Sequence, residues 1–169
     1  MKKVFWAAGF LGLLACLYVM TGAETKTSQI QVTATVPDEV YVEAYALSFG
    51  ILQGLAQQDA TTHVTVRAPI GREYRISLDA GQNYIASGMN WRSLKNGDSY
   101  ILYTLYLDPE MTQQWGDVDY GDTYPWGNPN GPFTGTGGQQ PYEIYARANG
   151  YNFSAPGEYN DVVTVTVHY

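Results

Sequence analysis

DVVTVTVHY, residues Asp161–Tyr169, alternates apolar and polar side chains along almost its whole length. Because side chains of a β-strand alternate between two faces, one face of this stretch carries Val163, Val165, Val167 and Tyr169. The Pro156-Gly157 pair just ahead of it favours a turn. The pattern predicts a terminal strand with its apolar face buried in a sheet. No strand follows it in the sequence, so we expect its open side to be covered from elsewhere.

A second alternating stretch lies near the other end of the chain. Residues 30–36 place four apolar side chains on one face of a strand, namely Ile30, Val32, Ala34 and Val36. Pro37 then interrupts the ladder, because proline has no backbone donor. Two interpretations stay open: residues 30–36 are an ordinary strand of the same domain, or they are an extension that pairs outside it.

The composition predicts an all-β exported protein. The 169 residues include 15 Tyr, 18 Gly and 8 Pro, and only 15% are charged. Tyrosine favours strands, and glycine and proline mark turns. Further strands are predicted at residues 40–46, 63–67, 74–78, 100–108 and 142–147, with a loop at 54–62 and a long loop or ragged hairpin at 118–140. Regular turns and no convincing helix beyond the leader predict an immunoglobulin-like β-sandwich.

Residues 1–23 read as a signal peptide. Lys2 and Lys3 precede an apolar run from Val4 to Met20, and small residues follow up to Ala23. Lipidation of Cys16 and an uncleaved anchor are the alternatives. Ordinary cleavage removes the sole Cys, which leaves the mature chain without a disulfide or a thiolate metal site. The formal net charge of −7 becomes −9 without the two leader lysines, and no basic patch exists, which argues against nucleic acid as a partner.

No constellation of residues predicts catalysis, a metal or a cofactor. The acidic run Asp117–Asp122 lacks the ligand, Gly and Glu positions of an EF-hand, so we interpret it as a solvated loop. His63 and His168 fall at predicted strand ends and accompany no catalytic motif. A sugar-stacking platform built from Trp91, Trp115, Trp126 and tyrosines remains an alternative.

Several short motifs occur in one order along the chain. They are Val36-Pro37, Leu47-Ser48-Phe49-Gly50, Ile76-Ser77-Leu78-Asp79-Ala80-Gly81, Gln114-Trp115-Gly116-Asp117, and Ala155-Pro156-Gly157-Glu158-Tyr159-Asn160-Asp161 before the terminal Val/Thr run. Together they resemble the spore coat protein U domain family, which includes subunits of archaic chaperone–usher pili. Members of that family commonly carry a disulfide, and the corresponding positions here are Val40 and Arg67.

The resemblance implies an architecture and a way of assembling. It implies a pilin-type sandwich at residues 37–169 that is incomplete and is completed by a donor strand, and a donor extension at residues 24–36. The donor residues would be Ile30, Val32, Ala34 and Val36. The acceptor groove, which also contacts the chaperone, would include Val163, Val165, Val167 and Tyr169.

The resemblance also implies partners and a location. The partners would be a periplasmic chaperone, an outer-membrane usher and other copies of the chain or related pilus subunits. The protein would pass through the periplasm to a fimbrium or coat at the bacterial surface, where such fibres serve adhesion and biofilm formation. The alternatives are a secreted, self-complete β-sandwich coat protein, with residues 30–36 as its own strand, and a glycan-binding adhesin.

Overall fold

The computed structural model describes residues 26–85, 91–124, 126–150 and 155–169. The predicted leader, with Cys16, lies outside these ranges. The chain divides into two units at Thr35 and Val36. In the first unit, residues 26–35 form no strand, and the side chains of Ile30 and Val32 are 89% and 87% exposed. No helix among the described residues is long and apolar enough to cross a membrane.

In the described part of the second unit, two β-sheets carry the fold. In chain order the strands are β1 Tyr41–Ala44, β2 Gln58–Arg67, β3 Glu73–Leu78, β4 Arg92–Asn96, β5 Ser99–Tyr106, β6 Asn130–Thr134, β7 Gln139–Ala148 and β8 Val165–His168. One sheet has the order β1-β2-β7-β5-β4, and the other has the order β6-β3-β8. Each pairing between these strands is antiparallel. The prediction of an all-β, immunoglobulin-like sandwich is confirmed.

The core lies between the two sheets and follows the two-residue period of the strands. β2 contributes Val64 and Val66, and β3 contributes Tyr74, Ile76 and Leu78. From β5 come Ile101, Tyr103 and Leu105, and its neighbour β7 in the same sheet adds Ile144 and Ala146. Burying one large aliphatic side chain contributes roughly 1.5–3 kcal/mol, so these faces account for the pairing of the sheets.

Strand boundaries differ from the prediction where tertiary contacts decide them. β2 begins at Gln58, so the second half of the predicted loop at 54–62 is a strand, held by its register with β7. β4 was not predicted, because Arg92–Asn96 is polar. β6, which contains Gly and Pro, falls in the segment predicted as a long loop or ragged hairpin. The terminal strand is shorter than predicted, since β8 covers only Val165–His168.

A cation–π contact occupies the region where the resemblance places a family disulfide. The β1–β2 register sets Tyr41 opposite Arg67, next to Val40. The Arg67 guanidinium carbon lies 4.5 Å from the centre of the Tyr41 ring. An exposed contact of this kind contributes about 0.5–1 kcal/mol. That is less than the roughly 2–4 kcal/mol typical of a disulfide.

Candidate functional site

An open groove of about 990 Å³ runs along one edge of the sandwich. One wall is the segment Ala44–Leu52, which continues from β1. The other wall is formed by residues 155–163 with Val165. β1 and β8 are each the last strand of their sheet, so the groove lies where the two sheets are not joined to each other.

The first wall leaves the β-ladder soon after β1 ends. The amide of Tyr45 still donates to the carbonyl of His63 at 3.2 Å. The Thr62 hydroxyl then donates to the carbonyls of Tyr45 and Ala46, at 3.1 Å each. Beyond this point Leu47, Phe49 and Leu52 turn partly buried side chains towards the core. This wall is the Leu-Ser-Phe-Gly stretch that carries part of the family resemblance.

The second wall is held in place by side-chain carboxylates. An Asp79 carboxylate oxygen accepts the Thr164 amide at 2.8 Å, and Asp161 accepts the Asn83 amide at 3.0 Å. The backbones of Lys95 and Asn160 exchange two hydrogen bonds of 3.0 and 3.2 Å. These bonds hold residues 160–164 in place, although they belong to none of the eight strands. β8 continues the wall. One edge of β8 pairs with β3, and its other edge pairs with none of the described strands.

The groove floor is apolar and spans both sheets. Its side chains are Leu78, Leu94, Ile101, Tyr103, Leu105 and Ile144. Tyr103 touches both walls: its ring lies 6.0 Å from the Phe49 ring, and its hydroxyl donates to Asp161 at 2.7 Å. Burial, followed by the Asp161 contacts, raises the pKa of the Tyr103 hydroxyl well above its ordinary range. The hydroxyl therefore stays neutral and serves as a donor at every ordinary pH.

A buried arginine supports this floor from below. Arg92 is fully buried, and its guanidinium donates to three backbone carbonyls at 2.8–2.9 Å, those of Leu78, Asp79 and Trp115. Its guanidinium carbon also lies 3.9 Å from the centre of the Tyr124 ring. Trp115 is equally buried and donates its indole N–H to the Ile76 carbonyl at 2.9 Å. The end of β3, and with it Asp79, is thereby tied to the rest of the domain.

The structure places the predicted acceptor residues at different depths. Val163 and Val165 line the groove. Val167 packs against the core beyond the groove lining, and Tyr169 is largely exposed. All four predicted donor residues are exposed, namely Ile30, Val32, Ala34 and Val36. The Leu47–Phe49 wall and the groove floor were not predicted from the sequence, although the Leu-Ser-Phe-Gly motif was a signal for this wall.

Two alternative sites change character in the structure. Asp117 is buried, and its carboxylate accepts the amides of Thr123 and Tyr124 at 3.0 and 2.6 Å, so the prediction of a solvated loop is wrong at this residue, whereas residues 119–122 are exposed. Instead it organises the loop that follows β5. Trp115, one of the three tryptophans considered for sugar stacking, has no exposed surface and is not available to a ligand.

His168 gives the terminal strand a pH-dependent stability. Its Nε2 lies 2.7 Å from the Ser77 hydroxyl, and the Tyr120 ring covers it at a centroid distance of 4.2 Å. Burial lowers the pKa of His168, and the negative charge of Asp117 opposes this only in part. The folded chain therefore favours the neutral imidazole. The resulting loss of stability is absent above the ordinary His pKa of about 6.5, grows as the pH falls below that value, and levels off once the pH is below the folded pKa.

We therefore expect the melting temperature to fall between pH 7.5 and 5.5, with a weaker dependence in His168→Gln. Thermal unfolding across this range measures the difference. Parallel curves for the two proteins would show that His168 does not carry the effect.

Comparisons with known proteins agree with this geometry. The family model described as Spore Coat Protein U domain matches residues 26–166. The chain belongs to the Spore Coat Protein U domain family. No curated protein matches this family member.

Among solved structures, the fold is similar to one chain of a complex from archaic chaperone–usher Csu pili of Acinetobacter baumannii. That complex is a pre-assembly complex of a chaperone and a tip adhesion subunit. The TM-score is 0.50 at 18% sequence identity, and the match covers 78% of the present chain. It covers 39% of the other chain, so the present chain spans about two fifths of the length of that chain.

Proposed function

We propose that this chain is an exported structural subunit of a bacterial surface fibre or coat, and that it polymerises by donor strand complementation. The observation that carries the proposal is the open groove between the two walls, with an apolar floor and, beside it, an edge of β8 that pairs with none of the described strands. An extended segment laid in such a groove gains main-chain hydrogen bonds from the edge strand. Its alternate side chains enter the floor.

Residues 30–36 have the chemistry of that segment. Side chains on one face of a strand recur about every 6.6 Å, so four of them cover roughly 20 Å of groove. Each large aliphatic side chain that enters the floor contributes roughly 1.5–3 kcal/mol. In the described structure Ile30 and Val32 are exposed, and residues 26–39 form no strand.

The direction of insertion favours another copy over self-completion. The segment that continues from β1 lines the groove. A tight turn at Pro37–Glu39 would lay residues 30–36 antiparallel to β1. β8 runs antiparallel to β3. Whether β1 runs in the same direction as β8 or in the opposite one depends on the end of the sandwich at which each strand begins. β8 ends near Arg75, at the end of the sandwich where β1 begins opposite Arg67, so β1 and β8 run in opposite directions. Residues 30–36 folded back on β1 would thus be parallel to β8.

Parallel pairs are slightly less stable per residue, and the strand pairs described above are all antiparallel. Antiparallel pairing with β8 requires the extension of a neighbouring molecule.

The proposed organisation is a cleaved leader at 1–23, a donor extension at 24–36 and a receiving domain at 37–169. Ile30, Val32, Ala34 and Val36 insert, and Val163 and Val165 receive them, with Val167 and Tyr169 further along the strand.

The same open groove explains the proposed partners. An unfilled apolar groove is an aggregation hazard during export, which a periplasmic chaperone relieves by occupying it. An outer-membrane usher would then exchange the chaperone for a neighbour's extension at the bacterial surface. The chaperone–usher pilus complex whose fold is similar supports this route.

Truncation before Pro37 tests the proposal. We expect residues 24–169 to form chains of subunits and residues 37–169 to form none, because the truncated protein keeps the groove but has no donor. Electron microscopy and light scattering at equal concentrations measure the difference. A stable monomer from residues 24–169 would instead support the self-complete sandwich.

A further inference from the structure

Exposed aliphatic side chains lie at the two ends of the sandwich, and of Ile51, Leu55 and Ile70 only Ile51 also lines the groove. Ile70 lies in the β2–β3 turn and is 84% exposed. Ile51 and Leu55, in the connection between β1 and β2, are 86% and 73% exposed. β2 runs ten residues between the two regions, which separates them by about 30 Å. They therefore lie at opposite ends of one domain.

The Ile70 turn is tied to the place where the extension joins the domain. The Arg72 guanidinium binds the Asp38 carboxylate, with one contact at 3.2 Å and a second, shorter one. Gly71 and Arg72 exchange backbone hydrogen bonds of 2.9 and 2.7 Å with Gly135, which holds the turn from its other side. Asp38 is thus held close to the Ile70 turn.

The extension leaves this point through a very short link. Only Pro37 separates Val36, the last donor residue, from Asp38. Two residues span about 7 Å at most. When Val36 inserts into a neighbouring groove, the Ile70 turn of the donor molecule therefore lies close to the same end of that groove.

The receiving end is the one that carries Ile51 and Leu55. A donor antiparallel to β8 runs away from the Arg75–His168 end of the groove, so Val36 reaches the end lined by Ile51 and Pro156. Leu55 lies at this same end, where its backbone approaches Gly150 just after β7.

We propose that successive subunits meet at a second surface besides the groove, in which the Ile70 turn of one copy packs on Ile51 and Leu55 of the next. The contact rests on the proposed donor exchange. It gives each junction an apolar domain–domain contact that the donor strand alone does not supply, and it restricts the angle between neighbouring domains.

Thiol cross-linking tests the contact, because residues 24–169 contain no cysteine. The variant with Ile70→Cys and Ile51→Cys, assembled and treated with a short thiol–thiol cross-linker, should give a ladder of covalent oligomers in a denaturing gel. The matched control pairs Ile70→Cys with Glu143→Cys, an exposed position in the middle of β7, and should give none. The single variants Ile70→Cys and Ile51→Cys should also give none.

The outcomes separate this contact from the donor exchange. Fibres that form without the ladder would overturn the contact and leave the exchange standing. A covalent dimer from Ile70→Cys alone would show that like ends meet, which also overturns it. Failure of the untreated wild-type protein to form fibres would remove the proposed function and this contact with it.

Discussion

A chain carrying Val32→Asp is expected to form no fibres, although its domain at residues 37–169 is unchanged. The substitution forfeits the burial of one valine and places an unpaired carboxylate in an apolar groove. Together these cost about 4 kcal/mol or more, which weakens donor binding by at least roughly a thousandfold. Electron microscopy of the purified protein at the concentration where wild type assembles is the measurement.

Thr33→Asp is the matched control for this substitution. It adds the same charge one residue away, on the opposite face of the extended segment, where the carboxylate stays in water. Thr33→Asp should therefore assemble nearly as well as wild type. Equal assembly of the two variants would show that the alternation of residues 30–36 has no part in polymerisation.

Arg92→Met is expected to be among the most destabilising single substitutions in the domain. Methionine fills similar space but leaves the carbonyls of Leu78, Asp79 and Trp115 without the donors that they have now. A buried acceptor without a partner costs about 1–3 kcal/mol, so we expect the free energy of unfolding to fall by at least about 3 kcal/mol.

Urea unfolding followed by tryptophan fluorescence measures this loss, with wild type and variant in the same assembly state. Arg67→Met is the control, since Arg67 is exposed and its loss removes only the contact with the Tyr41 ring. It should cost less than about 1 kcal/mol. A similar small loss for Arg92→Met would show that its three carbonyls find other donors, and that Arg92 does not hold the groove floor.

Most of the fold was predictable from local alternation, because burial on one face leaves a period of two in the sequence. The buried faces of β3 and β5 follow from that period. β4 was not predicted from the sequence. Its Arg92 is buried because backbone carbonyls of other segments accept its hydrogen bonds, and no local sequence pattern indicates such contacts. Residues 161–164 were predicted as part of the terminal strand, but the amide of Thr164 donates to the Asp79 carboxylate, a tertiary contact, instead of to a neighbouring strand.

The candidate site was predictable in part. Val163 and Val165 were selected from the sequence, and they line the groove. Tyr169 shares their alternation but lies beyond the groove and is exposed, because the period of a strand does not say where its cover ends. The opposite wall, with Leu47 and Phe49, depends on a segment that leaves its sheet, which strand periodicity does not predict.

Peptide binding to the isolated domain tests the central claim most directly. The protein is residues 37–169, and the ligand is a synthetic peptide of residues 28–36. We expect one peptide to bind per domain and to raise its melting temperature, since a ligand that binds only the folded state stabilises it. The same peptide with Val32→Asp should do neither. A domain that is as stable alone as the full mature chain, and that does not respond to the peptide, would contradict donor strand complementation in this protein.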